Sequence, residues 1–186
     1  AQTAMELLLG YEQQYIENST EVKSDSNLPS ILQDILRKRV GQYRSKIASF
    51  KSRINKLQKE TDAARQEITS ASKTVGISEQ QVRLKSRIER AREELYNRKS
   101  GSLLSYLQAK DATLAAERAL YQSRNVFAQK KAALAAKLTD LSTLRSDKEE
   151  FTASWSSKLG EERAKEEERR VQLSQEAIKL KRDMSN

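Results

Sequence analysis

Neighbouring carboxylates are the side chains of this sequence whose spacing could support chemistry. They occur in runs such as Glu149-Glu150, Glu161-Glu162 and Glu166-Glu167-Glu168. Two carboxylates enclosed together can act as general acid and base, because burial and mutual repulsion separate their pKa values. These runs are interspersed with Lys and Arg in helical sequence, where we expect nothing to enclose them. We therefore assign them no catalytic role.

The residue types that most catalytic and metal sites need are missing from the chain. It has no His and no Cys, which excludes an imidazole base, a thiolate nucleophile and the usual transition-metal ligands. Nucleophile elbows, phosphate-binding loops and dinucleotide fingerprints are also absent from the sequence. We expect no enzyme, no cofactor and no metal, and we interpret Trp155 as a packing residue.

The composition predicts an elongated all-α protein. The 186 residues include five Gly, one Pro and 33% charged residues, while 37% are hydrophobic, which suits a narrow helix–helix seam. The longest run of large apolar residues is Leu7–Leu9, far short of the roughly 20 residues that a membrane-spanning helix needs. Because the chain begins at Ala1 and stops within a helical pattern, we interpret it as part of a longer protein.

The first elements are a helix over residues 1–23 and a loop over 24–29. The helix shows apolar residues at Leu8, Tyr11, Tyr15 and Val22. The loop is polar and ends in the single proline, which disfavours helix. Ser30 and Gln33 then form a capping box, which predicts the start of an ascending arm over residues 30–97.

Apolar residues alternate at four- and three-residue steps along this arm, which is a coiled-coil heptad. The seam comprises Leu36, Val40, Tyr43, Ile47, Phe50, Ile54, Leu57, Thr61, Ala64, Ile68, Ala71 and Val75. A slip around Gly76, followed by a second capping box at Ser78 and Gln81, predicts a break near residues 75–78. Beyond it the predicted seam resumes at Ile77, Gln81, Leu84, Ile88, Ala91 and Leu95.

A polar, Gly-containing segment at residues 98–102 predicts the tip of a hairpin, and residues 103–186 predict a descending arm. Its apolar residues fall into offset sets: Leu107, Leu114 and Tyr121; Leu120, Phe127, Leu134 and Leu141; Leu144, Phe151 and Trp155; Ala164, Val171 and Ile178. The fold class is thus a long antiparallel coiled-coil hairpin, with a descending helix of about 120 Å. Facing residue numbers should sum to about 200, which places Val171–Asn186 beside the first helix.

The strongest electrostatic feature lies between Arg37 and Lys59, where nine residues are basic and none is acidic. Six of them flank the seam and are candidates for electrostatic contacts within or between hairpins: Arg37, Arg39, Arg44, Lys46, Lys51 and Arg53. We favour pairing within the hairpin, to Asp147, Glu149, Glu150, Glu161 and Glu162. Another subunit, an acidic partner or an anionic membrane are alternatives. We do not expect nucleic acid as a partner, because the segment lacks the stacking aromatics of single-strand binders, and we expect membrane contact only through segments outside this chain.

The tip and its flanks resemble the periplasmic hairpin of the HlyD-type membrane fusion proteins. In this superfamily the tip typically has Arg, then Leu four residues later, then Ser seven residues after that. Leu95 and Ser102 have this spacing here, whereas Ala91 occupies the Arg position and Arg92 lies one residue later. The segment from Leu95 to Asp111 is similar to the tip and descending arm of the family.

The resemblance implies the periplasmic part of an adaptor anchored in the inner membrane of a Gram-negative bacterium. It implies a ring, of six copies, that joins an ABC transporter to a TolC-like outer-membrane channel in type I secretion. The partner-binding tip would comprise Arg92, Leu95, Lys99, Ser102, Leu103 and Leu104. Two other classes fit the sequence: a BAR-like bundle that binds anionic membranes, and a cytoskeletal or chromosome-type coiled-coil arm.

Overall fold

The protein is all-α, as expected. The computed structural model describes residues 4–18 and 28–184, and these form three helices without a strand: α1 (Ala4–Asn18), α2 (Ser30–Asn97) and α3 (Leu103–Asp183). Residues 19–23, predicted as helix, and 24–27, predicted as loop, lie outside the described residues. The chain divides into unit 1, comprising Ala1–Ile54 and Thr143–Asn186, and unit 2, comprising Asn55–Ser142.

The start of α2 is fixed by Pro29 and Leu28. The Pro29 carbonyl accepts hydrogen bonds from the Leu32 and Gln33 amides at 2.9 and 3.1 Å, and Gln33 Nε2 donates to the Leu28 carbonyl at 2.9 Å. Proline has no amide hydrogen of its own to leave unpaired before a helix. The Leu28 side chain is buried, so the entry to α2 is also held by packing.

The predicted seam of α2 is confirmed from Leu36 to Val75. Every one of its twelve positions is buried or half-buried, and Leu36, Val40, Phe50 and Thr61 are buried. Thr61 is tolerated there because its hydroxyl donates to the Leu57 carbonyl at 2.8 Å, which satisfies the polar group within the helix.

The predicted break near residues 75–78 is wrong, since α2 continues through it. A glycine inside a helix costs about 1 kcal/mol relative to alanine, which long-range contacts on either side can offset. Those contacts are present: Ser78 is buried instead of capping a new helix, and Glu79 is ion-paired to Arg124 of α3 at 2.8 Å.

The seam predicted after Gly76 lies on the wrong side of the helix. Its six positions, Ile77, Gln81, Leu84, Ile88, Ala91 and Leu95, are all exposed. The buried and half-buried positions after Gly76 are instead Ser78, Glu79, Val82, Ser86 and Glu89. The more apolar side of the helix therefore faces solvent here, while the less exposed side includes two serines, Ser78 and Ser86.

Along α3, the central sets of the predicted seam are confirmed and the terminal sets are wrong. Leu120, Phe127, Leu134, Leu141, Leu144, Phe151 and Trp155 are buried or half-buried. By contrast, Leu107, Leu114, Tyr121, Ala164, Val171 and Ile178 are exposed. Near the turn, the buried positions of α3 are again small residues, Ala109, Thr113 and Ala116.

Ion pairs between α2 and α3 in unit 2 follow opposite residue order on the two helices. Lys137 Nζ lies 2.9 Å from Glu60 Oε2, Lys130 Nζ lies 2.6 Å from Glu67 Oε2, and Arg124 pairs with Glu79. Salt bridges between exposed side chains contribute little stability each. Their positions nevertheless show which residues of the two helices lie side by side in this unit.

In unit 1, α1 packs against both long helices. The core consists of Leu8, Leu9, Leu28, Leu36, Val40 and Leu159. On α3, the partners of α1 lie between Trp155, which binds Glu12, and Arg170, which lies 3.5 Å from Glu6. The expectation that Val171–Asn186 lies beside the first helix is therefore wrong: residues 171–184 are exposed.

Candidate interaction surfaces

The turn between α2 and α3 begins with a Schellman motif. The Ser100 amide donates to the Leu95 carbonyl at 2.8 Å and the Lys99 amide donates to the Tyr96 carbonyl at 2.9 Å. Lys99 has φ of 57°, the left-handed conformation that this motif requires and that glycine usually supplies. Gly101 does not have a positive φ, and the sequence gives no indication that Lys99 adopts one.

Gly101 and Ser102 complete the turn by different means. A Cβ at Gly101 would lie 3.1 Å from Leu95 Cβ and 3.3 Å from the Tyr96 nitrogen, so a side chain here would have to displace its neighbours in α2 by a few tenths of an ångström. Ser102 is the N-cap of α3, since its Oγ accepts the Ser105 amide at 3.1 Å. Ser102, predicted to contact a partner, thus also has a structural role.

The other residues of the predicted tip set are exposed around this turn. Arg92, Leu95, Lys99, Leu103 and Leu104 all face solvent, and Leu104 is 66% exposed. Beside them, Tyr96 and Tyr106 stack across the two helices with ring centroids 6.2 Å apart and planes within 9°. This stack connects α2 and α3 next to the turn, so the backbone that bears Leu95, Leu103 and Leu104 is held in place.

Exposed apolar side chains are concentrated in the half of unit 2 that adjoins the turn. The outer line of α2, defined as Ile77, Leu84, Ile88 and Leu95, faces solvent on one helix. The outer line of α3, defined as Leu103, Leu107, Leu114 and Tyr121, does so on the other. Lines of exposed large apolar side chains of this kind are candidates for an interaction surface.

A buried ionic cluster holds α1 in unit 1. The Glu12 side chain is 0% exposed; its Oε2 lies 2.6 Å from Arg39 Nε, and its Oε1 accepts a hydrogen bond from Trp155 Nε1 at 3.2 Å. Arg39 NH2 also donates to Glu162 Oε2 at 2.7 Å. Burial raises the pKa of the Glu12 carboxyl above its ordinary value, against the opposing effect of the Arg39 charge.

Sequence reasoning missed this cluster because Glu12 has no unusual local signal. It lies one residue after Tyr11 in an ordinary amphipathic pattern, and only the packing of α1 shows that it is enclosed. Trp155, expected to pack, does so between Tyr43 and Phe151, with centroid distances of 5.5 and 5.8 Å. Its indole nitrogen adds the polar contact that helps to orient Glu12.

Among the described residues, one cation of the basic segment forms the predicted ion pair with an acidic residue of α3. Arg39 pairs with Glu162, as expected, and Arg44 donates to the Tyr15 carbonyl at 3.3 Å. Within that part, no ion pair joins the segment to Asp147, Glu149, Glu150 or Glu161, all outside the half-buried face of α3. Lys46, Lys51 and Arg53 form no ion pair with any described residue; Lys46 instead lies 5.4 Å from the centroid of the Phe50 ring.

The described residues contain no helix long and apolar enough to cross a membrane. Among the same residues, no group of three or more acidic side chains is arranged to hold a metal ion. Comparisons with protein-family models, with curated proteins and with solved structures gave no match to this chain.

Proposed function

We propose that this chain is the helical hairpin of a HlyD-type membrane fusion protein, a structural adaptor of type I secretion. In this proposal α2 and α3 form one antiparallel coiled-coil hairpin in the periplasm. Its tip binds the periplasmic helices of a TolC-like channel, and parts of the protein outside this chain bind the inner-membrane ABC transporter. Several copies assemble into a ring.

The observation that carries the proposal is the exposed apolar surface around the turn. Leu95, Leu103 and Leu104 are displayed by a turn whose own hydrogen bonds are satisfied locally, so their exposure is not required to close the turn. Exposing large apolar side chains to water costs about 25 cal/mol per Å² relative to burial, which a protein partner can recover. Arg92 and Lys99 supply donors at the edge of this surface.

The opposite order of the interhelical ion pairs and the Schellman turn support the hairpin. An adaptor of this kind needs no reacting group, because it works by holding two other proteins at a fixed separation. Leu95, Leu103 and Leu104 supply apolar contact in the proposal, while Arg92, Lys99 and Ser102 supply hydrogen bonds to the channel.

The proposal is tested by Leu95→Glu combined with Ser102→Asp in the full-length protein. Asp is as good an N-cap as Ser, so α3 keeps its cap while the tip gains two negative charges. We expect secretion to be lost while helicity by circular dichroism and the midpoint of thermal unfolding stay close to wild type.

A matched control is Leu138→Glu, since Leu138 is 40% exposed against 42% for Leu95 but lies far along α3 from the turn. It should leave secretion intact. Normal secretion by the tip variant, or equal loss in both variants, would refute the proposed role of the tip.

A further inference from the structure

The outer line of α2 is part of a complete second heptad seam on that helix. Ile77, Gln81, Leu84, Ile88, Ala91 and Leu95 follow each other at steps of four and three residues. All six are exposed, whereas Val82 and Ser86 on a different side of the helix are half-buried and nearby Glu79 is ion-paired to Arg124 of α3. α2 therefore carries one seam that is occupied within unit 2 and one that is vacant among the described residues.

The width of the vacant seam favours a helix as its occupant. A strict a and d pattern makes a narrow apolar stripe, which matches the knobs-into-holes packing of a second helix. A helix that lies in a membrane interface presents a broader apolar face, often with Trp or Phe. The vacant seam contains neither, and Gln81 interrupts its apolar character at one a position.

The flanking charges indicate the sign of the partner. With Leu84 at position d, Lys85 and Arg92 occupy e, and Arg87 occupies g; the other exposed flanks are Gln80 and Glu94. The interhelical ion pairs of unit 2 use Glu60, Glu67 and Glu79 with cations of α3, and none uses these three cations of α2. Charges at e and g select a partner helix of opposite sign.

We infer that the vacant seam of α2, residues 77–95, binds an α-helix of another protein with apolar a and d positions and Glu or Asp beside them. This goes beyond the proposed tip contact, because Ile77, Leu84 and Ile88 lie outside the tip set and extend the surface more than four turns down α2.

A second copy of this chain offers poorer complementarity for the seam. The outer line of α3 is the exposed apolar stripe of comparable size in unit 2, and it is bordered by Lys110 and Arg118 as well as by Asp111 and Glu117. Mixed signs do not match the basic flanks of the α2 seam. The charge pattern therefore favours an acidic helix from a different protein.

The test uses the whole chain and two synthetic peptides of four heptads, each with Leu at a and d. One peptide has Glu at every e and g position, and the other has Lys there. Fluorescence anisotropy should show saturable binding of the Glu peptide with one-to-one stoichiometry, and circular dichroism should show that the peptide gains helix on mixing. The Lys peptide should bind about tenfold more weakly or not at all.

Three variants assign the binding to the seam. Leu84→Ser should abolish binding of the Glu peptide without unfolding the chain, because Leu84 is 55% exposed. The double variant Lys85→Glu with Arg87→Glu should weaken binding about tenfold by reversing two flanking charges. Arg83→Glu with Arg90→Glu makes the same change in net charge at c positions and should leave binding unchanged.

Several results would overturn the inference. Equal binding of both peptides, no binding of either, or Glu-peptide binding that survives Leu84→Ser would each exclude an acidic helix at this seam. If the Glu peptide does not bind, two other results would name a different occupant of the seam. Binding of the chain to phosphatidylglycerol vesicles that is lost in Leu84→Ser would show that the occupant is a membrane surface. A dimer of the chain that dissociates in Leu84→Ser would show that it is a second copy. Leu84→Ser tests the seam separately from the tip, because Leu84 and Lys85 lie outside the tip set, whereas Leu95→Glu would alter both surfaces.

Discussion

Glu12 is a carboxylate that the fold removes completely from solvent. It is fully buried between α1, α2 and α3, where Arg39 approaches one carboxylate oxygen and Trp155 donates to the other, with Glu162 sharing the same guanidinium. Two carboxylates thus share one cation. Because burial is the largest influence, the pKa of Glu12 is raised in the folded protein.

The raised pKa of Glu12 predicts how its contribution to stability changes with pH. A group with a higher pKa in the folded state favours folding below its unfolded pKa, and loses that contribution as pH rises through the folded value. The stability of wild type relative to Glu12→Gln should therefore be greatest near pH 3 and decline towards pH 7. Urea unfolding of both proteins across this range measures it, and parallel curves would contradict the raised pKa.

Lys99 occupies a backbone conformation that suits glycine. A non-glycine residue in the left-handed region destabilises the folded state by about 1–2 kcal/mol, and glycine removes this strain. Glycine also gives the unfolded chain more conformational freedom, which lowers stability by about 0.4–1 kcal/mol. Lys99→Gly should raise the free energy of unfolding by about 0.5–1 kcal/mol in chemical denaturation. The control Lys110→Gly, inside α3, should lower it by about 1 kcal/mol; a loss in both variants would argue against the Schellman turn.

At the scale of elements, the continuity of α2 through Gly76 can be tested by substituting this glycine with alanine. A Cβ at Gly76 would meet nothing within 4 Å, so Gly76→Ala should stabilise the protein by about 1 kcal/mol through its higher helix propensity. Gly101→Ala should destabilise it, because its Cβ would press against Leu95. Differential scanning calorimetry of the two variants distinguishes these signs, and a lower melting temperature for Gly76→Ala would indicate a break.

The orientation of α2 near the turn shows why hydrophobic periodicity gave the wrong side. Ile77, Leu84 and Ile88 are more apolar than Ser78 and Ser86, so the pattern alone places them inside. The small residues face α3 instead, opposite a helix whose buried positions include Ala109 and Ala116. Size complementarity between helices decides the inner side, and it cannot be read from one helix alone.

At the scale of the whole molecule, acid should act with opposite sign on Glu12 of unit 1 and on Glu60 and Glu67 of unit 2. In unit 2, the hydrogen bonds from Lys137 and Lys130 lower the pKa values of Glu60 and Glu67. Such carboxylates stabilise the fold above their unfolded pKa and lose that contribution as pH falls through the folded value. In unit 1, protonation of Glu12 favours the folded state, because the pKa of its carboxyl is raised by burial.

The carboxylates of unit 2 therefore give a prediction for a double variant. Glu60→Gln with Glu67→Gln should lower the melting temperature slightly near pH 7, because both side chains are largely exposed, and should have no effect near pH 2. Thermal unfolding at the two pH values measures the difference. A deficit that persists in acid would show that the pairs act through packing and not through charge.

Much of the fold was predictable because its signals are local. Ser30, the turn at 98–102 and the seam from Leu36 to Val75 follow from capping, turn chemistry and heptad spacing. The placement of α1 beside Trp155–Arg170 was not predictable, since it depends on which partners Glu12 and Glu6 find across the sequence. For the candidate surface, the tip residues were identified from a resemblance, while the outward side of Leu84 required the structure.

Packing α2 and α3 through serine, alanine and threonine near the turn has an evolutionary consequence. The large aliphatic residues of this stretch are exposed and are not needed to join the two helices, so substitutions among them should preserve the internal architecture while changing the proposed binding surface. In the proposal, recognition and foldability are assigned to different sides of the same helix. Lineages can adjust one without endangering the other.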